Sequence, residues 1–417
     1  MRIVYLNPCG ELGGAETSLR EMLAGVRSAE PSWQLSLVLG EDGPLANIAR
    51  DLGVSVIVEQ FPKQVSRLGD ASGGGLLGNL WGLASAAPAT AKYARGLAKL
   101  LGELKPDIVH TNGFKMHLLG ARCAPADCAV VWHIHDYVSI RPMMSRLLRL
   151  VSKRCRAAIA NSNSVAADIH SLMPGLNVVP IYNAIDLTRF KPEGDQLDLD
   201  ALAGLEPAAP GTVRVGLVGT FARWKGHKVF LEALARLSAK DAVRGYIIGG
   251  PIYQTTGSQW SLEELGEEAA RLGLTGRVGF TGFVPDTARA MRALDIVVHA
   301  STKPEPFGMV IIEGMASGKA VVASSAGGAA ELFIDGVDAI GHNPGDAAML
   351  ASRISLLASD GELRGRLGRE GRRTAERIYG RKRLVKDLLD LYAKSVGLVF
   401  GAQAETIGAN MAANGLP

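Results

Sequence analysis

Two carboxylates eight positions apart, Glu305 and Glu313, enclose the run Pro306, Phe307, Gly308, Met309, Val310, with Pro304 leading. The residues before them, Asp295 to Ser301, are apolar and β-branched with polar ends, which predicts a buried strand. Gly318 downstream is a helix stop. The expected order is therefore strand, loop and helix. Glu305 falls in the loop, and Glu313 about one and a half turns into the helix. Gly308 has no Cβ, so a ligand can approach its backbone. The free N–H groups of Gly308, Met309 and Val310 would form the positive end of the helix dipole, a natural anion site. Two acceptor carboxylates beside an anion site suit a ligand that carries phosphate flanked by hydroxyls, as a nucleotide sugar does.

Three other places could contribute chemistry. Gly13 and Gly14 follow the first apolar run and open a helical pattern, so backbone there could meet a phosphate or sugar. His133 and His135 close a strand-like run, and their alternation puts both on one face. Asp136 follows them, but no third metal ligand is apparent, and a core role for the histidines is the ordinary reading. Gly219, Thr220, Arg223 and Lys225 lie on a glycine-bounded loop ahead of a helix. Two fixed cations there could neutralise a diphosphate.

These motifs must be held by an alternating series of short apolar runs and helical patterns, which reads as doubly wound α/β structure. The first series of strands is expected at 2–6, 35–39, 54–58, 108–110, 129–134 and 157–160. The second is expected at 213–218, 245–248, 278–280, 296–298 and 320–323. A polar, proline-bearing stretch separates the two. Residues 1–190 are thus one Rossmann-like domain, 191–211 a linker, and 212–380 a second such domain. Residues 381–400 form a last helix with Leu384, Leu388, Leu391 and Tyr392 on one face, and 401–417 form a loose Ala/Gly/Asn-rich tail.

The chain has 417 residues, 47% of them hydrophobic, which is enough for two full cores. A net charge of +4 is too small to mark a nucleic-acid protein. The four cysteines have no CxxC spacing, which suits a reducing compartment. The N-terminal residues do not read as a signal peptide and no run reaches membrane-spanning length, so a cytoplasmic location is expected. Leu76, Leu77, Leu80, Trp81, Leu83 and Ala84 form one apolar helical face. Residues 143–156 are expected to form a helix with Arg146, Arg149, Lys153 and Arg156 on one side and leucines on the other. Such faces suit either ordinary packing or peripheral contact with the inner membrane face.

Taken in order from Gly13 to Tyr392, these motifs resemble the retaining glycosyltransferases of family four, which have the GT-B fold. The resemblance implies two Rossmann-like domains facing a cleft, with the last helix crossing back to the first domain. It implies that Glu305 contacts the donor sugar and Glu313 the nucleotide ribose. Gly13 and Gly14 would face the donor phosphates, and His135 rather than His133 would point at the sugar. Lys225 matches the family's lysine, whereas Thr220 stands where the family has an arginine, leaving Arg223 as a displaced substitute. Gly219, Gly249, Phe283 and Val284 would edge the donor site, the last two meeting the base through their backbone.

The implied reaction moves a sugar from a nucleoside diphosphate sugar to a lipid-linked or glycan acceptor with retention, by front-face attack. Neither a metal nor a cofactor is needed for it. Asp198 and Asp200 form an Asp-x-Asp in the linker that has no metal role in this reading. Two alternatives stay open: a nucleotide-sugar epimerase, and a non-catalytic nucleotide-sugar-binding protein. Thr220 and Ala184, which replaces a family glycine, keep the second alternative open.

Overall fold

A computed structural model describes residues 1–62, 76–238, 241–251 and 257–397, with the side chains of 76–86 outside that description. The expected apolar face at 76–84 and the tail at 401–417 therefore lie outside the described residues.

The first sheet contains β1 (Arg2–Asn7), β2 (Gln34–Leu39), β3 (Ser55–Val58), β4 (Ile108–Asn112), β5 (Ala129–Ile134), β6 (Cys155–Ala160) and β7 (Val178–Pro180). Its strand order is β3-β2-β1-β4-β5-β6-β7, and every pairing is parallel. The helices between are α1 (Gly14–Ala29), α2 (Pro44–Asp51), α3 (Leu76–Leu104), α4 (Phe114–Cys123), α5 (Pro142–Val151) and α6 (Asn163–Leu172).

A four-residue helix α7 (Leu199–Leu202) precedes the second sheet. That sheet contains β8 (Val213–Val218), β9 (Val243–Ile248), β10 (Val278–Gly282), β11 (Ile296–His299), β12 (Ala320–Ser324) and β13 (Ile340–His342). It runs β10-β9-β8-β11-β12-β13, again all parallel. Its helices are α8 (His227–Arg236), α9 (Leu262–Arg271), α10 (Thr287–Ala293), α11 (Met309–Ala316), α12 (Ala347–Ser359) and α13 (Gly361–Ile378), followed by α14 (Arg381–Ser395).

Parallel strands are covered by helices on both faces, so their residues are apolar throughout. All of Ile296, Val297 and Val298 in β11 are fully buried. In each sheet the strand order reverses beside the first strand, between β1 and β4 and between β8 and β11. A crevice opens at the carboxyl ends of strands at such a switch point. The motif loops leave from β1, β5, β8 and β11, at or beside those two points.

The predicted last helix is α14. Leu384, Leu388, Leu391 and Tyr392 are buried within the core of the first domain, together with Leu19, Met22 and Leu23 of α1. The Tyr392 hydroxyl lies 2.8 Å from His110 Nδ1.

One expectation about local structure is corrected, and the linker aspartates gain a role. The helix expected over 143–156 ends at Val151, and Cys155 already begins β6. Its leucines divide, Leu148 being buried while Leu147 and Leu150 are exposed alongside Arg146 and Arg149. The linker aspartates are structural. Asp198 caps α7 by accepting from Ala201 N at 3.0 Å. Asp200 is buried and accepts from Arg244 Nη1 at 2.6 Å, Tyr246 Oη at 2.6 Å and Arg214 Nη2 at 3.1 Å. Burial alone would raise its pKa, but the hydrogen bonds from Tyr246 and Arg244 hold it well below the usual carboxylate range. With Leu199 in the core of the second domain, this stretch is docked rather than free.

Candidate active site

The carboxyl ends of the two sheets face each other across a cleft of about 1180 Å³. From the first domain Gly13, Gly14, His135, Asp136, Tyr137 and Arg141 line it. From the second come Gly219, Thr220, Lys225, Glu305, Phe307, Gly308, Met309, Val310 and Glu313. Most residues singled out in the sequence therefore converge on one space.

Glu305 is its most constrained member, with 7% of its surface exposed. Oε1 accepts from Lys225 Nζ at 2.6 Å, and Oε2 accepts from Ser301 Oγ at 2.6 Å and lies 3.1 Å from His299 Nε2. Burial would raise its pKa, yet Lys225 and His299 hold it well below the usual carboxylate range. It is therefore anionic, and both oxygens are already engaged by protein.

Glu313 behaves in the opposite way. It sits half-buried on α11, and the protein crowded around its carboxyl pushes its pKa up to about 7, although Arg189 and Arg20 oppose the shift. Two carboxyls in one cleft with well-separated pKa values are a pattern found at functional sites.

Gly308 is the N-cap of α11 and has φ +103, a conformation that favours glycine. Phe307 is buried beside it and anchors the turn. The N–H groups at the start of α11 therefore open on the cleft. Lys225, whose Nζ also lies 4.3 Å from the Trp224 ring centroid, places a cation near them.

Across the cleft, Gly13 caps α1, and a Cβ at Gly14 would meet nothing within 4 Å, so backbone is open there. Glu16 is occupied with that turn, accepting from Gly13 N at 3.2 Å. His135 Nε2 lies 3.1 Å from Asn112 Oδ1. Burial lowers its pKa to about 4, so it is a neutral ring at physiological pH. His133 shares its face as alternation required, with ring centroids 3.9 Å apart, but is buried behind it.

Four expected residues lie elsewhere. Arg223 does not reach the cleft lining, because its guanidinium stacks 3.7 Å over Trp260 and pairs with Glu264 at 3.0 Å. In this structure it does not stand in for the arginine missing at Thr220; among the described residues the cations lining the cleft are Lys225, Lys303 and Arg141. Gly249 is a packing glycine, since a Cβ there would come 2.0 Å from Gly219 O. Phe283 is 59% exposed and Val284 packs against the core of the second domain, and neither lines the cleft. Among the described residues no group of three or more His, Cys, Asp or Glu could hold a metal ion.

The sequence reading missed His299 and Ser301 as partners of Glu305. Both lie within six residues of it, and their polarity at the end of an apolar strand was the available clue. It also missed Tyr137 and Glu331. The Glu331 carboxylate accepts from Asn163 N at 2.8 Å, Ser164 N at 2.6 Å, Asn163 Nδ2 at 3.0 Å and Tyr182 Oη at 2.9 Å, all of them in the first domain.

Two doubly wound domains closing on a cleft with this constellation define the GT-B class. Comparison with known proteins gives the family. The profile "Glycosyltransferase Family 4" matches residues 12–189, and "Glycosyl transferases group 1" matches 207–374. The chain belongs to the glycosyltransferases of this GT-B, family-four type.

A D-inositol 3-phosphate glycosyltransferase of Nocardia farcinica is 33% identical over 246 residues, 57% of this chain and 52% of that protein. A lipopolysaccharide core biosynthesis mannosyltransferase, LpsB of Rhizobium meliloti, is 33% identical over 46% of this chain and 52% of its own length. The chain thus spans about half the length of these curated relatives. The Anabaena protein Alr3699/HepE, solved in complex with UDP, superimposes with a TM-score of 0.75 at 26% identity, over 94% of this chain and all of that one. It has also been solved with UDP-glucose. No helix among the described residues is long and apolar enough to cross a membrane.

Proposed function

We propose that the protein transfers a sugar from a nucleoside diphosphate sugar to an acceptor hydroxyl, with retention of anomeric configuration and without a metal ion, in the synthesis of a cell-surface polysaccharide or glycolipid. The observation that carries this reading is the meeting of anionic Glu305, its partner Lys225, the open N-terminus of α11 and Glu313 in one cleft. The diphosphate would lie against the α11 N–H groups and Lys225, where charge growing on the leaving oxygen is stabilised as the bond to the anomeric carbon breaks. Glu313 would accept from the ribose hydroxyls. Glu305, whose oxygens are already engaged, would hold Lys225 in place and present its edge to the sugar. The acceptor oxygen would attack the same face and pass its proton to the departing diphosphate. Neutral His135 would approach the sugar from the first domain.

The acceptor would be a lipid-linked or glycan precursor met at the inner membrane face. Support comes from Ile140 to Arg156, which holds six basic and no acidic residues in a chain of net charge +4. Ile140, Met143, Leu147 and Leu150 are exposed there beside Arg146 and Arg149, and Ile140 and Arg141 reach the cleft. Basic and apolar side chains on one face suit an anionic bilayer.

The test is thermal shift against nucleoside diphosphates and their sugars, with and without chelator, followed by NMR assignment of the anomer formed. Uridine donors come first, given the ligands of the Anabaena relative. Stabilisation by one nucleotide that Glu313→Ala abolishes, with a retained anomer and no effect of chelator, is the expected result. An epimerised nucleotide sugar formed without acceptor would point to an epimerase, and binding without turnover to a non-catalytic role. No stabilisation by any nucleotide would overturn the reading.

A further inference from the structure

Glu331 belongs to the second domain, yet the four hydrogen bonds its carboxylate accepts all come from the first. Two of the donors, Asn163 N and Ser164 N, are the first backbone N–H groups of the ten-residue helix α6. Groups at that position have no partner within the helix, and the helix dipole favours an anion there. The N-cap of α6, Ser162, serves a different donor, accepting from Val165 N at 3.1 Å. The cap of a first-domain helix is therefore shared between the two domains.

The segment that carries Glu331 is laced to Glu305. Glu305 N donates to Ala326 O at 3.4 Å, and Ala329 N donates to Glu305 O at 3.3 Å. Tyr137 of the first domain donates to the same carbonyl at 3.4 Å and lies 2.9 Å from Ser164 Oγ. Gly328 sits where the domains touch, since a Cβ there would come 2.0 Å from Pro306 O and 2.7 Å from Ser162 Cβ. Tyr182, which donates to Glu331, has its ring centroid 6.1 Å from that of Phe307 in the cleft wall.

We propose that Glu331 is a positioning residue: by capping α6 across the domain boundary it clasps the two domains together and fixes Glu305 against the first-domain wall that holds His135. This rests on the transferase reading only for its consequence in turnover; the clasp itself is independent of it. The groups proposed to hold donor, Lys225, the α11 N-terminus and Glu313, all belong to the second domain. Opening the clasp therefore leaves them together while moving them away from His135. The expected kinetic signature is a fall in kcat with the donor KM little changed.

The experiment compares the full chain with Glu331→Ala, Glu331→Gln and Gly328→Ala by small-angle X-ray scattering and by release of nucleoside diphosphate from UDP-glucose. Rates are normalised to calorimetric donor-binding stoichiometry, so that a misfolded fraction cannot mimic the effect. Glu331→Ala and Gly328→Ala should increase the radius of gyration, and Glu331→Ala should lower kcat about tenfold or more, as misplacement of reacting groups does. Glu331→Gln keeps one acceptor oxygen but turns a donor toward the remaining N–H groups, so it should fall between Glu331→Ala and wild type in both. Wild-type scattering and kcat in Glu331→Ala would overturn the proposal. If the wild type releases no diphosphate from UDP-glucose or from other nucleotide sugars, the transferase reading fails separately, and scattering alone decides the clasp.

Discussion

Lys225 Nζ and Glu305 Oε1 lie 2.6 Å apart, joining the loop after the first strand of the second sheet to the loop after its fourth. The pair bridges the switch point of that sheet and fixes a cation in the cleft. Removing the lysine both loses charge stabilisation of a leaving diphosphate and strips a buried carboxylate of its counterion. Lys225→Ala should lower kcat by about 10²–10³. It should also cost up to about 3 kcal/mol of stability by urea unfolding. In a double-mutant cycle with Glu305→Gln the two losses should be far from additive, because each residue acts through the other.

Arg223→Ala should behave differently. Its partners are Glu264 and Trp260 on an exposed surface, where an ion pair contributes about 0–1 kcal/mol. We expect kcat within about twofold of wild type, against the hundredfold or more for Lys225→Ala. A loss of comparable size would show that the arginine leaves Trp260 and enters the cleft when donor binds.

Glu313, with a pKa of about 7, gives donor binding a pH dependence. A ribose hydroxyl donates best to the ionised carboxylate, so donor affinity should weaken as pH falls from 8 to 6, and Glu313→Gln should flatten the profile. Isothermal titration with UDP-glucose across that range measures both. The same shift has the opposite sign for stability. The folded state holds a proton that the unfolded chain releases near its ordinary pKa, so this residue favours folding below pH 7 and loses that advantage as pH rises through it.

A buried histidine group works against the fold in acid. Burial lowers His110 to about 3 and His135 to about 4, and His117 and His133 well below their ordinary value. All four stay neutral in the fold while the unfolded chain takes up protons below about pH 6.5. Stability is therefore complete above pH 6.5 and falls as pH drops. At pH 5 the loss for His135 alone is about 2 kcal/mol. The melting temperature should fall steadily from pH 7 to 5, and His110→Gln should blunt that fall.

The basic face of α5 predicts binding to anionic vesicles. Co-sedimentation with phosphatidylglycerol should be strong, and with phosphatidylcholine weak. Arg146→Gln with Arg149→Gln should weaken it by about 1 kcal/mol per residue neutralised, more at low salt. Equal binding to both lipids would remove the electrostatic part of this reading.

How far the sequence carried differs by element. Runs such as 213–218 and 129–134 are apolar and β-branched, and their strands were legible. β7 and β13 were not, because each has three residues and holds a proline or a glycine, so no periodicity can develop. The Glu305–Gly308 turn and α11 were legible because the pattern is local. Arg223 was misplaced because the ring that captures it, Trp260, is far along the chain. Glu331 was missed for the same reason, its partners lying 149 to 168 positions away.

The return of α14 to the first domain has a consequence for synthesis. Leu384, Leu388, Leu391 and Tyr392 are buried in a core that otherwise lies within the first 184 residues. On the ribosome that domain emerges first but lacks one wall of its interior until nearly four hundred residues have been joined. Its apolar surface around Leu19 and Met22 must wait, exposed, while the whole second domain is made.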